Sequence, residues 1–548
     1  MNSPPLHNGG MTRRDLVQDH LKPPYWDCPK NLVYSLQGIC PQRVRDTLQG
    51  ISQWGLKEFW IAQGIDSHDR WEHSKGVLAV TALWLEKLDG SAQANNGAAS
   101  GSRRLLAKVA ALLHDFGHLP FAHLLADVLE SMSWVPTRGG HAGLEGFVLT
   151  ERLGHDSLGS HWAALATKLK LGSADAAKQA VLDLILGRFG IPWLQVIVNS
   201  PVDADKIDYI ARDTEFLGKA GWHTSSRLAT VSAKWLESFL SDQQVSPTGL
   251  LCFNGRSAVA AADLLRERIF LYDRFYLSPE LRVCERMAFE IVQQFLIRAV
   301  MSDAFRQNLG GVGGTRGYRE RCKAEHQAAD PAEMKCRLVA ELLESLAPQK
   351  TGGPDRELEL LDFMWERLSE DAWLDNDYKG FLQKCYDTLR AAANGKVDIG
   401  SVVEHSLIRA PLVFHRQDHA KVRDALRPVQ HRYCREVLID VVRLPRVLGA
   451  PARWRFDPDP DAPSEVDYGI LVPEGGVSAW GPGSKARVPL NDQAVGELER
   501  PYGRVIVIAP DQANSARSEY IWDRVRSALL EAGVKPLSVA EVNGKGVV

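Results

Sequence analysis

The sequence predicts a mostly α-helical protein that ends in a small α+β domain, and three observations carry that reading. Apolar residues recur at helical spacing in successive stretches between about residues 41 and 393. Short β-branched runs bounded by Gly and Pro come only after about residue 430. The chain's 548 residues also exceed what one core usually covers, so two or three domains are expected. Hydrophobic residues at 45% and charged residues at 24% describe an ordinary globular chain, and the formal net charge of −3 argues against a surface that coats nucleic acid throughout.

Compartment follows from cysteine usage and hydropathy. The eight cysteines (Cys28, Cys40, Cys252, Cys284, Cys322, Cys336, Cys385 and Cys434) lie far apart without a C-x-x-C pair, so neither a disulfide framework nor a zinc ribbon is indicated. The first twenty residues lack the apolar core of a signal peptide. No uninterrupted apolar run approaches the roughly 18 residues of a membrane helix. The expectation is a soluble protein of the reducing cytoplasm with no membrane partner.

Taken in order, a loose amino-terminal segment (1–24) precedes a helical core expected over 25–305. Residues 41–60 carry helix-spaced apolar positions. The next helix opens at Asp69, a candidate cap, with Glu72 three residues on as in a capping box. Within it His73 heads the apolar stripe Val77, Val80 and Trp84, so this histidine faces the core. Residues 91–102 read as a small-residue loop, and helical patterns continue to about residue 190, interrupted by a Gly-Gly-His turn at 139–141. In 201–221, Asp205, Asp208, Tyr209, Arg212 and Asp213 share one helical face opposite Ile207, Ile210 and Ala211. Long helices follow over 258–300.

A helical extension is expected over 306–428, opening on a mobile Gly- and Arg-rich loop at 308–323 and continuing in helices at 331–348, 355–370 and 379–393. The small α+β domain is expected over 429–548. There CREVLIDVV, DYGILV and GRVIVIAP read as strands, DPDPDAPS (457–464) as an exposed turn, and SEYIWDRVRSALLEAG as an amphipathic helix ending at Gly533.

The most telling stretch is LLAKVAALLHDFGHLPFAH (105–123). An apolar helix ends in His114-Asp115, with His118 and His123 close behind. An ionised carboxylate loses several kcal/mol of hydration on burial unless it is compensated, and a divalent cation compensates it most simply. Imidazole nitrogen with carboxylate oxygen suits Zn, Mn, Fe, Ni or Co, and Mg less well. One dyad cannot hold a metal, so other segments must contribute, and His73 and Asp205 are the candidates from two other helices. Each has a plain alternative: His73 as a hydrogen-bonded core histidine, and the Asp205 face as solvated, with Asp208–Arg212 a surface pair.

The ordered set R-W-E-H-S-x-G-V, L-L-H-D-F-G-H-x-P-F-x-H and D-x-D-K-x-D-Y-x-x-R-D-x-x-x-L-G resembles the HD-domain phosphohydrolases. More narrowly it is similar to the deoxynucleoside triphosphate triphosphohydrolase branch, which includes the dGTPases and the SAM-and-HD-domain dNTPase. The likeness covers roughly residues 35–300 and implies an HD-domain helical core. It implies that His73, His114, Asp115 and Asp205 bind a divalent metal (Mn, Mg, Fe, Co, Ni or Zn), and that His118, His123 and His141 act on the reacting phosphate. It further implies that Arg70, Lys206, Tyr209, Asp213, Arg268 and Tyr276, with Gln53, contact the triphosphate and sugar of a dNTP. A homo-oligomer and a nucleotide effector are also family traits, and the resemblance is compatible with a role in limiting nucleotide pools, including during phage infection.

This chain departs from the family in two places. Three positions after His123 the usual acidic residue is Ala126, with Asp127 one later, and beside His141 the usual Glu is Ala142, with Glu145 further along. Two other functions compete with the dNTP triphosphohydrolase. One is an HD phosphodiesterase or nuclease acting on cyclic or modified nucleotides or single-stranded nucleic acid. The arginine-rich stretch 409–455 keeps it open, although such a run is also what a solvated helix face or an oligomer contact looks like. The other is a non-catalytic nucleotide-binding sensor, which would not need a buried metal site.

Overall fold

The computed structural model describes residues 42–61, 68–89, 101–135, 143–219, 233–241, 243–245, 251–253, 255–302, 305, 309, 331–346, 355–396, 398–443, 502–510 and 515–537. Among these the chain is mostly α-helical, with 19 α-helices and five short strands. The expected loops at 139–141 and 457–464 and the strand DYGILV lie outside the described residues, as does nearly all of 308–323.

Helices α1 (Gln42–Gln49) and α2 (Lys57–Ile61) lead to α3 (Arg70–Asp89). The Asp69 carboxylate accepts from the Glu72 amide at 2.8 Å, capping α3 as its sequence predicts. Helix α3 is buried around most of its circumference, with His73, Val77, Val80 and Trp84 all inside. Next come α4 (Gly101–Leu113), a 3₁₀ turn at His114–Gly117, α5 (Ala122–Ser131), α6 (Gly143–Leu153), α7 (Gly159–Leu169), α8 (Ala174–Ile185), α9 (Pro192–Val198) and α10 (Ala204–Lys219). Helix α11 (Ala233–Leu240), the antiparallel pair β1 (Gln243–Val245) and β2 (Leu251–Phe253), and α12 (Gly255–Leu271) complete this half. Its core runs through Trp84, Leu112, Ile207, Ile210, Phe239 and Leu264.

A π-helical turn, Tyr272–Tyr276, separates α12 from α13 (Pro279–Met301). The Ser278 hydroxyl caps α13 and Pro279 opens it, where a missing N–H costs nothing. A second core gathers around α13, with α14 (Pro331–Leu346), α15 (Asp355–Glu370), α16 (Asn376–Ala393) and α17 (Ile399–Ser406) packed about it.

The carboxy-terminal elements are β3 (Leu412–His415), α18 (His419–Tyr433), β4 (Leu438–Arg443), β5 (Tyr502–Ile508) and α19 (Ala516–Glu531). The strands form an antiparallel sheet in the order β3-β5-β4. Alternation with period two sends Leu438, Val442, Ile506 and Ile508 to the second core, and Ile439, Val505 and Val507 to a third core under α18 and α19. Central strand β5 is thus covered on both faces, which explains its unbroken run Val505-Ile506-Val507-Ile508. Arg282 of α13 fastens the sheet with Nε and Nη2 at 2.8 and 2.9 Å from the Asp440 carboxylate. Gly533, at φ +71°, ends α19 in the left-handed conformation that glycine tolerates.

No helix among the described residues is long and apolar enough to cross a membrane. Several arginines of 409–455 are paired with carboxylates: Arg409 with Glu519 at 2.8 Å, Arg427 with Asp424 at 2.8 Å and Arg435 with Asp375 at 3.1 Å. Arg446, Arg453 and Arg455 lie outside the described residues.

Candidate active site

The His-Asp dyad sits where α4 runs out. Buried residues from Leu106 to Leu113 draw that helix into the core, and the chain then tightens into the 3₁₀ turn carrying His114 and Asp115. The turn lies hard against α6, since a Cβ on Gly117 would come 2.2 Å from the Glu145 carbonyl oxygen. Only glycine permits that approach.

His73 from α3 and Asp205 from the first turn of α10 meet the dyad. His73 Nε2 is 3.2 Å from His114 Nε2 and 3.1 Å from Asp205 Oδ1. One ligand atom from each of His73, His114 and Asp205 falls within 4.8 Å of the others. Asp115 borders this trio, 3.2 Å from His114 Nε2 and 3.8 Å from His73 Nε2. The outer ring nitrogens are engaged elsewhere: His73 Nδ1 on Asp208 at 2.8 Å and His114 Nδ1 on the Ala111 carbonyl at 2.8 Å. Both imidazoles are therefore held with Nε2 inward, as metal-ligating histidines commonly are.

These residues fit a divalent cation. Burial would depress His73, but hydrogen bonds to Asp205 and Asp208 outweigh it and raise the imidazole to about 10, so the pocket favours positive charge at this point. Two inward nitrogens 3.2 Å apart cannot both be satisfied by one proton and the neighbouring oxygens as well as by one shared cation. Burial likewise opposes ionisation of Asp115, yet His114, Arg70 and His118 hold it well below the usual carboxyl range.

Beyond the dyad, His118 Nε2 lies 3.1 Å from Asp115, and its Nδ1 lies 3.2 Å from Glu145 on α6. His123 Nδ1 is 3.5 Å from the same Glu145 oxygen, and its side chain is 70% exposed. Burial opposes ionisation of Glu145, but the two histidines overcome it and lower the carboxyl to about 2. Burial and the Arg70 cation hold His118 below the ordinary imidazole value.

These groups open on a cavity of about 1020 Å³. Arg70, Lys206 and Arg268 line it near the dyad, with Gln53, Trp54, Tyr209 and Tyr276 alongside, while Arg282, Asp440 and Val442 form a wall toward the carboxy-terminal sheet. Every candidate residue from the sequence lines it except two: His73 is fully buried, and His141 lies outside the described residues. Arg70 donates to Asp115 at 2.7 Å, Lys206 donates to Asp203 at 2.8 Å and Asp205 at 3.2 Å, and the Arg268 guanidinium sits 5.6 Å over Tyr272. Gln53 Oε1 and the Tyr209 hydroxyl are buried with no hydrogen-bond partner among the described residues, as groups awaiting a polar ligand would be.

The profile of the HD domain family matches residues 70–180, a span that contains His73, His114 and Asp115. Residues 70–180 are an HD domain. The chain is 26% identical over 267 residues to a protein named deoxynucleoside triphosphate triphosphohydrolase SAMHD1 homolog of Dictyostelium discoideum, covering 46% of this chain and 45% of that one. It is 25% identical over 262 residues to an uncharacterized protein of Methanocaldococcus jannaschii, covering 48% and 45%. The matches thus span less than half the length of these relatives. A phosphohydrolase of known structure from Bacteroides thetaiotaomicron superposes with a TM-score of 0.48 at 15% identity, over 88% of this chain and 96% of that one.

Around the HD domain, three groups escaped the sequence reading. Asp208, which the alternative reading of its helix made half of a surface pair with Arg212, is fully buried and orients His73. The only sign was its position one turn from Asp205. Glu145, noted in the sequence only as an acidic residue beyond Ala142, stands 3.5 Å from His123 Nδ1, a contact its sequence position did not foretell. Trp54, next to Gln53, donates Nε1–H to Asp213 at 2.7 Å, and the Tyr276 hydroxyl donates to the same carboxylate.

That last cluster sets a pH dependence. Burial raises Asp213 to about 7, with the Tyr276 and Trp54 hydrogen bonds opposing. Between the ordinary carboxyl value and 7 the folded protein keeps a proton that the unfolded chain releases, so stability falls as pH rises through this window and levels off above it. Urea unfolding of Asp213→Asn beside the wild type is expected to show the wild type losing relative stability by on the order of 1 kcal/mol per unit between pH 5 and 7. Parallel pH profiles would contradict this.

Proposed function

We propose that this chain is a metal-dependent phosphohydrolase acting on deoxynucleoside triphosphates, releasing the deoxynucleoside and tripolyphosphate. The observation that carries the reading is the convergence of His73, His114 and Asp205, bordered by Asp115, at one end of a cavity lined by Arg70, Lys206 and Arg268. The relative named as a dNTP triphosphohydrolase supports the choice of substrate.

His73, His114, Asp115 and Asp205 would hold the ion. When bound there, a divalent ion would lower the pKa of water toward about 7 and offset charge on phosphate oxygens. Arg70, Lys206 and Arg268 bind the polyphosphate, arginine in the bidentate manner its planar fork allows. For this, Arg70 and Lys206 exchange part of their pairing with Asp115, Asp203 and Asp205 for phosphate oxygens. Tyr209 and Tyr276 pack against the sugar and crowd a 2′-hydroxyl. Water adds to the α-phosphorus as its bond to the sugar 5′-oxygen breaks, and His123, kept protonated by Glu145, delivers a proton to that oxygen. His118 keeps Asp115 and Glu145 in register, and His141 remains a third candidate imidazole.

The test is one panel: the purified protein with Mn, Mg, Co or Zn and each dNTP, NTP, cyclic dinucleotide or single-stranded DNA, with products resolved by mass. Deoxynucleoside plus tripolyphosphate is the expected result. Mononucleotide products without tripolyphosphate would make the chain a phosphodiesterase, and tight nucleotide binding without turnover would make it a sensor. Within the panel His123→Ala is expected to keep its metal and to slow turnover by roughly 10²-fold, the lower end for losing a general acid. A His123→Ala enzyme as fast as the wild type would remove that residue from the proton path.

A further inference from the structure

The loop from His118 to His123 bends in an unusual way. Phe121 and Ala122 both adopt the left-handed conformation, at φ +69° and +46°. Neither is glycine, and neighbouring left-handed residues without glycine persist only where the surroundings impose them. Local bonds account for part of the bend: the Ala122 amide donates to the Leu119 carbonyl at 3.1 Å, and the Leu124 amide to the Phe121 carbonyl at 3.0 Å. The Phe121 amide, buried with its ring, points away from both.

Its acceptor comes from far along the chain. Glu357, in the first turn of α15 and 1% exposed, accepts the Phe121 N–H through Oε1 at 2.8 Å. Its neighbour Arg356 donates Nη1–H to the Gly50 carbonyl at 3.2 Å, just before the turn that carries Gln53 and Trp54. Two adjacent side chains of one helix thus hold two backbone segments at the rim of the cavity. Helix α15 lies well outside the HD domain match at 70–180. A buried glutamate is poorly suited to simple packing, and its second oxygen has no hydrogen-bond partner among the described residues. The backbone contact is what such a residue contributes here.

We propose that Glu357 is a positioning residue: by accepting the Phe121 amide it locks the strained His118–His123 loop and so aims the two imidazoles into the cavity. The step from loop to turnover rests on the phosphohydrolase reading, whereas the locking of the loop does not. Without the carboxyl, the buried amide is unpaired and the left-handed pair relaxes. The metal trio stays in place, because His73, His114 and Asp205 lie on other segments. Glutamine keeps a carbonyl oxygen at the same reach and preserves the lock.

The test compares the full-length protein with Glu357→Leu and Glu357→Gln by hydrogen exchange read by mass spectrometry, by Mn titration, and by kinetics on the best substrate. In Glu357→Leu the amides of Leu119 and of 121–124 are expected to exchange at least about tenfold faster, while peptides of α19 and the Mn affinity stay as in the wild type. Its kcat is expected to fall by roughly 10-fold or more with KM changed less than about threefold, and Glu357→Gln is expected to restore both readouts. Should the leucine variant not fold, Glu357→Asp withdraws the acceptor by one methylene and is expected to show the same loop-confined loss. Wild-type exchange in the loop of the leucine or aspartate variant, or a glutamine variant as impaired as the leucine one, would overturn the proposal. A wild-type enzyme that turns over no phosphate ester would overturn the phosphohydrolase reading instead, and the exchange comparison would still decide the role of Glu357.

Discussion

Asp205→Ala is expected to lose divalent-ion binding and to slow the proposed turnover on the order of 10³-fold or more, equivalent to the several kcal/mol that a catalytic ion contributes. Asp205 is the one carboxylate among the three groups whose ligand atoms lie within 4.8 Å of each other, and it comes from a helix distant in sequence from both histidines. Its loss leaves two imidazoles and Asp115, whose carboxylate Arg70 and His118 already engage, one ligand short of the four that hold a divalent ion tightly. Two measurements check this. Metal content after dialysis is expected to fall to background, and added Mn, which raises the wild-type melting temperature by binding only the folded state, is expected to leave the variant's unchanged. An Asp205→Ala protein with full activity would remove Asp205 from the site and leave His73 as a core histidine.

Gly76→Ala is expected to damage the same centre from behind. A Cβ there would come 1.9 Å from Asp208 Oδ1 and 2.6 Å from Arg212 Nη2, where α3 packs against α10. Both groups are tied down, Arg212 Nε to Asp208 at 2.7 Å and Asp208 to His73 at 2.8 Å, so neither yields without breaking a buried bond. Overpacking of this kind costs about 3 kcal/mol. Turning Asp208 away from His73 is expected to weaken metal binding by roughly 10–100-fold, as loss of an outer partner commonly does. Urea unfolding and Mn titration read the two effects separately. Gly218→Ala on the exposed side of α10, where a Cβ meets nothing within 4 Å, serves as the control and is expected to raise stability slightly. If Gly76→Ala matched that control in both measurements, the close crossing would have no consequence for the site.

Much of the centre could be read from local spacing. The helical period put His73 on the buried side of its helix and gathered Asp205, Asp208, Tyr209 and Asp213 on one face, while the cost of burying His114-Asp115 pointed to a cation. The residue motifs then resembled one family, and the described residues that the resemblance picked out line the cavity, His73 excepted. Local spacing erred where partners are distant. Asp208 and Arg212 satisfy the rule for a surface pair, and burial between α3 and α10 makes them something else. Glu145 and Glu357 sit in unremarkable helical sequence, yet one stands beside His118 and His123 and the other holds the loop between them.

The division has a simple cause. Which way a helical side chain faces depends on neighbours three or four positions away, so periodicity reveals it. Which inward-facing groups meet depends on how whole helices cross, and those crossings are set by side-chain packing summed over elements hundreds of residues apart. The approach of α3 to α10 at Gly76, the sheet order β3-β5-β4 and the reach of α15 to Phe121 are all of that second kind.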